Sequence, residues 1–187
     1  MAHRSRVAVL LAEGFEELEA VAIIDVLRRG DIDVLITALA GPSREVTGAH
    51  QIRIHADVLL SDLRPAELAM VVLPGGMPGS AHLAACPAVL DLLRVVAATG
   101  GQLAAICAAP IVLQAAGLLQ GRRVTCYPTF EAQLVGAVCT GAAVQRDGRL
   151  ITSRGPGTAL RFALELLRAL GGEARAEQLH QGMLVEA

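Results

Sequence analysis

Two hydrophobic patterns alternate along the chain: short continuous apolar runs, and longer stretches in which apolar residues recur at helical spacing. Continuous runs are typical of strands buried on both faces, and we predict such strands at Arg6–Leu11, Asp33–Leu39, Met70–Leu73 and Gln102–Ile106. Helices are predicted at Glu16–Arg29, Pro87–Thr99, Ala109–Leu118 and Pro156–Leu170. This alternation predicts an α/β, flavodoxin-like three-layer sandwich with a mostly parallel sheet. In such sheets ligands bind at the carboxyl ends of the strands.

Shorter segments complete the predicted architecture. Glu45–Ala56 alternates polar and apolar residues, which predicts an exposed hairpin. Short strands are expected at Arg123–Thr125, Ala143–Arg146 and Leu150–Ser153, the last two joined by an Asp-Gly turn. No long linker, charge block or internal repeat divides the sequence, so we expect a single domain over residues 1–187.

The composition excludes several classes of protein. Hydrophobic residues make up 53% of the chain, enough for a substantial core and too many for a disordered protein. The net charge of −2 and the aromatic content of 2% offer neither the basic surface nor the stacking platforms that nucleic-acid binding needs. We therefore expect neither nucleic acid nor an anionic membrane surface as a partner.

The mean hydropathy of +0.52 is high enough to require a test for membrane segments. The most apolar run, Leu103–Leu119, has about 17 residues, fewer than the roughly 20 that span a bilayer, and contains Pro110 and Gln114. The apolar run at Val7–Ala12 is too short for a secretory signal. These features predict a cytoplasmic protein.

Cofactor and metal motifs are not found in the sequence. The four cysteines form no C-x-x-C pair and no close Cys/His group, so neither a zinc site nor disulfides are expected. The sequence has no lysine, which excludes Schiff-base chemistry. It also lacks a P-loop and a G-x-G-x-x-G fingerprint. We expect no metal and no cofactor.

One cysteine occupies a position typical of a nucleophile. Cys107 follows the strand that ends at Ile106, and alanines 105 and 109 flank it two positions away on either side. Small residues at these positions are typical of the sharp strand-to-helix turn that carries the nucleophile of serine hydrolases. Amide groups and the positive dipole at the start of a helix would lower the thiol pKa. The alternative is a buried structural cysteine.

An acidic cluster follows the first strand. Glu16 and Glu19 are three residues apart and share a face of the predicted helix. Acidic residues stabilise helix N-termini, and this effect by itself accounts for the cluster. Alternatively, Glu19 turns into the end of the sheet, where burial would keep its carboxyl protonated and able to shuttle a proton.

Two glycine-rich turns are further candidates. Gly75 and Gly76 follow a predicted strand and could offer backbone amides to an oxyanion. Arg154 lies in a second turn at the start of a predicted helix and could bind a carboxylate or phosphate. Ordinary loop geometry also explains both turns.

Together these segments resemble the ThiJ/PfpI superfamily, on the branch that contains the parkinsonism-associated deglycase and its bacterial relatives. The resemblance rests on AEGFEELEAV (Ala12–Val21), VLPGG (Val72–Gly76), AAICAAP (Ala104–Pro110) and TSRGPGT (Thr152–Thr158). It covers nearly the whole chain, and it implies a fold similar to class I glutamine amidotransferases, a homodimer, and cofactor-independent thiol chemistry on reactive aldehydes.

The resemblance also implies residue roles. Cys107 corresponds to the oxidation-sensitive nucleophile, and Glu19 to the carboxyl that hydrogen-bonds to it. Gly75, Gly76 and the amide of Ala108 would form the oxyanion-binding turn.

Glu16 and Arg154 would line the pocket, Arg154 as its basic group. Several relatives have a histidine at the position of Tyr127, whereas bacterial members have an aromatic residue there; a neutral tyrosine is a poor base, so fast glyoxalase turnover is not expected.

The resemblance leaves two functions open. The first is a glyoxalase or protein deglycase that acts on small aldehydes or glycated protein. The second is a redox-sensing chaperone or stress protein that uses the same cysteine without turnover. Peptidase activity is not expected, because peptidase members have a histidine directly after the cysteine and this chain has Ala108 there.

Overall fold

The computed structural model describes residues 6–39 and 44–185. Its strands are β1 (Arg6–Leu11), β2 (Asp33–Ala38), β3 (Glu45–Thr47), β4 (Arg53–His55), β5 (Val58–Leu59), β6 (Leu68–Leu73), β7 (Gln102–Ile106), β8 (Arg123–Val124), β9 (Val138–Cys139), β10 (Val144–Asp147) and β11 (Leu150–Ser153). Its α-helices are α1 (Glu17–Arg29), α2 (Gly79–Ala84), α3 (Pro87–Ala98), α4 (Pro110–Ala115), α5 (Ala159–Ala169) and α6 (Glu173–Gly182).

The central sheet is mostly parallel. Seven strands lie in the order β10-β11-β7-β6-β1-β2-β5, and only the β10–β11 pair at one edge is antiparallel. The central strands β1, β6 and β7 are apolar along almost their whole length because helices cover both faces. The carboxyl ends of these strands therefore meet at one edge of the sheet.

Two separate hydrophobic cores confirm the three-layer arrangement. One core contains the inner faces of α1, α5 and α6, with Phe15 and Phe162 fully buried in it. The other contains the inner faces of α3 and α4. The small residues of β7 belong to both, since Ala104 faces the first core and Ala105 the second. The predicted fold class is confirmed.

The structure differs from the sequence-based elements in several places, and the short helix α2 is one element that was not predicted. Helix α6 was not predicted, because its sequence is polar and buries only Ala176 and Leu179. The predicted helix at Pro156–Leu170 begins as a 3-10 turn, Pro156–Thr158, before α5. The predicted strand at Arg123–Thr125 does not join the main sheet, because β8 pairs with the short strand β9 instead.

The long apolar run is divided between two elements of the fold. Residues 103–106 belong to β7, and α4 follows at Pro110–Ala115. Within residues 6–39 and 44–185, none of the helices has both the length and the apolar character needed to cross a bilayer.

The predicted hairpin is present and is tied to the start of α1 by Glu17. Strands β3 and β4 pair in antiparallel register. The buried Glu17 carboxylate accepts hydrogen bonds from the amides of His50 (2.6 Å) and Ile52 (3.3 Å), and its Oε2 lies 2.9 Å from His50 Nδ1. A Cβ on Gly48 would collide with this carboxylate, so a larger residue there would displace it from the hairpin. The hairpin is thereby held against the acidic segment that precedes α1.

Replacing Glu17 by glutamine should destabilise the fold at pH 7 by about 1–3 kcal/mol, the loss typical of a charged hydrogen-bond acceptor. Although burial alone would raise the pKa of Glu17, the hydrogen bonds from His50 and the backbone lower it below 4.5. The stabilisation is therefore present above pH 4.5 and is lost as the pH falls through the native pKa. Urea unfolding of wild type and E17Q at pH 7 and pH 3 measures the difference, which should shrink at pH 3.

Glu45→Gln is the matched control. Glu45 lies on the same hairpin, but its ion pair with Arg53 is exposed, and such pairs contribute under about 1 kcal/mol. Equal effects of E17Q and E45Q at pH 7 would contradict the proposed anchoring by Glu17.

Candidate active site

Cys107 lies at a strained turn between β7 and α4. Its backbone φ is +62°, a left-handed conformation that is uncommon for residues other than glycine. Its amide donates to the carbonyl of Ser153 (3.1 Å), and its carbonyl accepts from the amide of Tyr127 (2.9 Å). The side chain is half-buried. These features match the strand-turn-helix geometry expected for a nucleophile, and the thiol is not sealed from solvent.

The glycine turn after β6 packs directly against this cysteine. A Cβ on Gly75 would lie 2.6 Å from the Cβ of Cys107 and 2.7 Å from Oε2 of Glu19. Gly76 has a φ of +91° and is packed against the backbone of Phe15. Only glycine fits at these two positions, and the close approach lets the Gly76 amide hydrogen-bond to the Cys107 sulfur.

Glu19, near the start of α1, is fully buried beside the cysteine. Its Oε2 accepts a hydrogen bond from the amide of Gly75 at 2.7 Å. Its Oε1 is buried and has no hydrogen-bond partner among the described residues. Burial raises the pKa of Glu19 to about 7, although the Gly75 amide and the Cys107 thiol act in the opposite direction. The carboxyl is therefore substantially protonated at neutral pH, as predicted from the sequence.

The environment of the sulfur contradicts one expectation. Burial, followed by the charge and hydrogen bond of Glu19, raises the pKa of Cys107 to about 12. The amides of Ala108 and Gly76 lower it, but they do not outweigh burial. The prediction that the start of the helix and the neighbouring acid group keep this thiol ionised was wrong, because burial outweighs the amides at the start of the helix and Glu19 raises the pKa further.

Cys107 and Glu19 titrate as a pair, since each shifts the pKa of the other. One proton leaves the pair near pH 7 and the second near pH 12, so a single proton is shared between these values. When Glu19 holds that proton, the sulfur is a thiolate that accepts hydrogen bonds from Gly76 and Ala108. This form is the one able to attack an electrophile.

The structure connects two other predicted pocket residues to the Cys107–Glu19 pair by different contacts. Glu16 is close: its amide donates to the carbonyl of Gly75 at 2.9 Å, and its charge contributes to the raised pKa of Glu19. Tyr127 is tied to Cys107 through the backbone, and its ring packs against Gly155.

Arg154 binds a carboxylate through its guanidinium. It directly follows Ser153, whose carbonyl binds the Cys107 amide, but its guanidinium pairs with Glu131 at 3.3 Å. The expected basic group thus faces a carboxylate of the 3-10 turn Pro128–Gln133.

Ser153 was not predicted as a site residue. Its backbone carbonyl accepts from the Cys107 amide, and its hydroxyl lies 2.7 Å from that of Thr158 and donates to the carbonyl of Ala143. These bonds fix the strand end that supports the nucleophile. The sequence signal for this role was the TSRGPGT segment, in which only the arginine and glycines had been assigned.

One group of side chains has the donor set of a metal site. Ligand atoms of Glu16, Glu17 and His50 lie within 4.8 Å of one another. Both oxygens of Glu17 already accept hydrogen bonds from the hairpin. A cation would have to replace the contact between His50 Nδ1 and Glu17.

Gly75→Ala should reduce activity strongly and destabilise the fold by about 1–3 kcal/mol, the usual cost of overpacking. The added methyl would displace Cys107 and Glu19 relative to each other. Thermal unfolding and a turnover assay measure both effects.

The control is Gly157→Ala, because a Cβ at Gly157 meets nothing within 4 Å. If G75A retained wild-type activity, the close packing of this turn would not matter for the site.

A parallel α/β sheet with a cysteine at a strained strand-to-helix turn, next to a buried carboxyl and a glycine turn, defines a class of cysteine-nucleophile α/β proteins. Comparison with family models specifies the class: residues 5–169 match the DJ-1/PfpI family, to which this chain belongs. This finding confirms the family resemblance noted in the sequence.

Individual relatives match over almost the whole chain. Protein dj-1beta of Drosophila melanogaster is 41% identical over 179 residues, 95% of each chain. The glutathione-independent glyoxalase DJR-1.2 of Caenorhabditis elegans is 39% identical over 181 residues, also 95% of each chain. The crystal structure of a cysteine-to-alanine mutant of the DJ-1 superfamily protein STM1931 from Salmonella typhimurium superposes with a TM-score of 0.93. That protein is 42% identical, over 98% of this chain and 100% of its own.

Proposed function

We propose that this protein is a cofactor-independent, cysteine-dependent enzyme that converts reactive aldehydes, as a glyoxalase or a protein deglycase. The observation that carries the proposal is the Cys107–Glu19 pair, in which a half-buried thiol lies beside a carboxyl whose pKa is near neutral. A relative of similar length that is named a glutathione-independent glyoxalase supports the same class of reaction.

The first step is attack on an aldehyde carbon. The Cys107 thiolate forms a C–S bond to the aldehyde of a dicarbonyl such as methylglyoxal, and the carbonyl π electrons move to oxygen. The amides of Gly76 and Ala108, which already bind the sulfur, are placed to stabilise the resulting oxyanion. Protonation of the oxyanion gives a hemithioacetal.

Glu19 then transfers protons between adjacent carbons. As a carboxylate it removes the proton from the former aldehyde carbon, and as a carboxylic acid it returns a proton to the neighbouring carbon, which gives a hydroxyacyl thioester. Water hydrolyses the thioester to lactate and free Cys107. The conversion of methylglyoxal to lactate is redox-neutral overall and consumes one water.

Deglycation of protein uses the same covalent chemistry at Cys107. In an early glycation adduct the amine is bonded to the former aldehyde carbon; Cys107 forms its C–S bond to that carbon while the C–N bond breaks and the protonated amine leaves. The hemithioacetal that results follows the steps above to a hydroxy acid and free Cys107. The exposed ring of Tyr127 cannot supply the base that histidine provides in other relatives. We therefore expect slow turnover.

Incubation of the purified protein with methylglyoxal, without glutathione, tests the proposal. Lactate should accumulate in proportion to enzyme concentration, and a glycated peptide should lose its adduct. Failure to form either product above the rate without enzyme would overturn the assignment.

The proposed assembly is a homodimer in the cytoplasm. Large apolar side chains are exposed on α1 and on the adjoining hairpin, namely Leu18 (55%), Val21 (49%) and Ile52 (56%). Burial against a second copy would remove them from water. All four cysteines are free thiols, in keeping with a reducing compartment. Light scattering after size-exclusion chromatography should give twice the mass of one chain, and a monomer would contradict the proposal.

A redox-sensing chaperone or stress protein is the second candidate. Oε1 of Glu19 is buried and finds no hydrogen-bond partner within residues 6–39 and 44–185, and the amides of Gly76 and Ala108 hydrogen-bond to the sulfur. Protonated Glu19 could therefore donate to an oxygen of Cys107 sulfinate, while the amides stabilise its charge. This function needs no turnover.

Mild peroxide should add two oxygens to Cys107 before it modifies Cys86, Cys126 or Cys139. Peptide mass spectrometry over a time course measures the order. In Glu19→Leu the same oxidation should stop less cleanly at the sulfinate, because the side chain no longer offers a hydrogen-bond donor. Earlier oxidation of another cysteine would count against the sensor role.

A further inference from the structure

A cleft with an apolar floor and a basic rim lies at the edge of the sheet opposite the proposed nucleophile. It has a volume of about 260 Å³ and opens between the turn that precedes β7 and the turn that joins β10 to β11. Its lining includes two arginines and no acidic residue. No residue of the proposed active site belongs to this lining, so the aldehyde chemistry does not account for the cleft.

The floor of the cleft is apolar. Leu103 of β7 and Leu150 of β11 are register partners near the amino ends of their strands, and both are buried. Ala97 in the last turn of α3 and Leu118 after α4 complete the floor. These side chains continue the core that α3 and α4 cover. An apolar group that entered the cleft would therefore be removed from water.

The rim of the cleft carries two positive charges. Arg149 donates from Nη1 to the carbonyl of Gly100, and a Cβ on Gly100 would lie 3.8 Å from Cζ of Arg149. The guanidinium of Arg122 lies beside Gly148 in the same manner, since a Cβ on Gly148 would be 3.9 Å from its Nη1. Both side chains are therefore folded back over glycine turns at the mouth of the cleft.

The charge of Arg149 is the less compensated of the two. Arg122 pairs with Asp147 at 3.4 Å, and the other carboxylate oxygen of Asp147 accepts from the amide of Arg123. Among the residues that the structure describes, Arg149 has no acidic partner. Its contact with the backbone uses Nη1 alone. Nε and Nη2 remain, and this edge of a guanidinium can bind both oxygens of a carboxylate.

We propose that this cleft binds a small organic carboxylate with a short apolar chain, of the short-chain fatty acid class. The carboxylate accepts two hydrogen bonds from Nε and Nη2 of Arg149, and Arg122 adds a second positive charge at the mouth. The chain lies on the leucines of the floor. One uncompensated guanidinium balances the single charge of a carboxylate but not the roughly two charges of a phosphate monoester.

The size and place of the cleft limit what it can hold. Its volume is just below the range of about 300–1,000 Å³ that is typical of sites for drug-sized ligands, which favours a small ligand. Leu103 lies four positions before Cys107, and at about 3.3 Å per residue of strand the two are about 13 Å apart. A ligand in the cleft therefore does not touch the sulfur, and its binding does not depend on the proposed enzymatic function.

Titration of the ¹⁵N-labelled full chain with sodium hexanoate, followed by amide NMR shifts, tests the site. The shifts should saturate and should centre on residues 97–103 and 148–150. Each methylene added between butyrate and hexanoate should tighten binding about fourfold, and uncharged hexanol should bind about 10-fold more weakly than hexanoate. Shifts that do not saturate, that centre on Cys107, or that hexanol reproduces at the same concentration would overturn the proposal.

Arg149→Gln should weaken hexanoate binding about 10-fold, because it removes the charge and the two-bond contact. Arg149→Lys should restore part of the affinity, since lysine retains the charge without the planar fork. Arg123→Gln is the matched control, because Arg123 is exposed and adjoins Arg122 but lies outside the lining. Equal losses in R149Q and R123Q would show a general effect of net charge and contradict the assigned site.

Ala97→Leu tests the floor without altering the charge. The larger side chain would fill part of the cleft, so hexanoate should bind about 10-fold more weakly while acetate, which has almost no chain, should be little affected. Thermal unfolding confirms that the variant remains folded. Hexanoate affinity equal to that of wild type in A97L would show that the chain does not enter the cleft.

Discussion

Replacing Cys107 by alanine should lower kcat for methylglyoxal by at least about 1000-fold, to the background rate. The substitution removes the atom that forms the covalent bond, and none of the neighbouring groups can take its place. The fold should remain intact, because alanine retains the Cβ that packs against Gly75. Lactate production is the measurement, with circular dichroism as the check on folding.

Cys86→Ala is the matched control. It removes a half-buried thiol at the start of α3, away from the site, so its activity should stay within about twofold of wild type. If C107A and C86A produced lactate at the same rate, the enzymatic proposal would be excluded, and the fold and family would stand without it.

The second large effect is expected from Glu19→Gln. Glutamine can still accept a hydrogen bond from the Gly75 amide, but it cannot transfer a proton between carbons. We expect kcat to fall by about 100- to 10,000-fold, the range typical of a lost general acid–base group. Asp25→Asn on the same helix, where the exposed aspartate pairs with Arg29, should have little effect.

A stability measurement separates this role from a merely structural one. The pKa of Glu19 is about 7 in the folded protein and 4.5 in the reference state. The unfolded chain therefore loses its proton first, and the wild type loses stability as the pH rises from 4.5 through 7. E19Q lacks this loss, so it should be more stable than wild type above pH 7 and similar to it at pH 4. Unaltered turnover in E19Q, whatever its stability, would contradict the assigned role.

The sequence predicts the fold well because its apolar pattern is strong where the sheet is most buried. Strands such as β7 read as uninterrupted apolar runs, and the prediction for Gln102–Ile106 matches the structure. Helix α6 was missed for the opposite reason: it is held by two buried side chains and by contacts with α5, and it has no apolar face of its own.

The residues of the site could be predicted from the sequence, but the pKa of its thiol could not. The fold brings Cys107, Glu19 and Gly75 together. Strands β1, β6 and β7 end at the same edge of a parallel sheet, and these residues lie on the segments that follow them. The pKa of the thiol depends on how deeply that edge is buried, which no spacing of residues records. The ion pair between Arg154 and Glu131 was not predictable from the sequence either, because the turn after Tyr127 is what brings Glu131 to Arg154.

The pH dependence of Cys107 alkylation tests the shared proton most directly. With iodoacetamide as the reagent, and peptide mass spectrometry to follow this one residue, the rate in wild type should rise through pH 7 and then level off. In E19Q that step should be absent, and the rate should climb only at higher pH. A wild-type rate that increases tenfold per unit from pH 7 to pH 10, with no step, would show that Cys107 behaves as an isolated buried thiol and that Glu19 holds no proton for it.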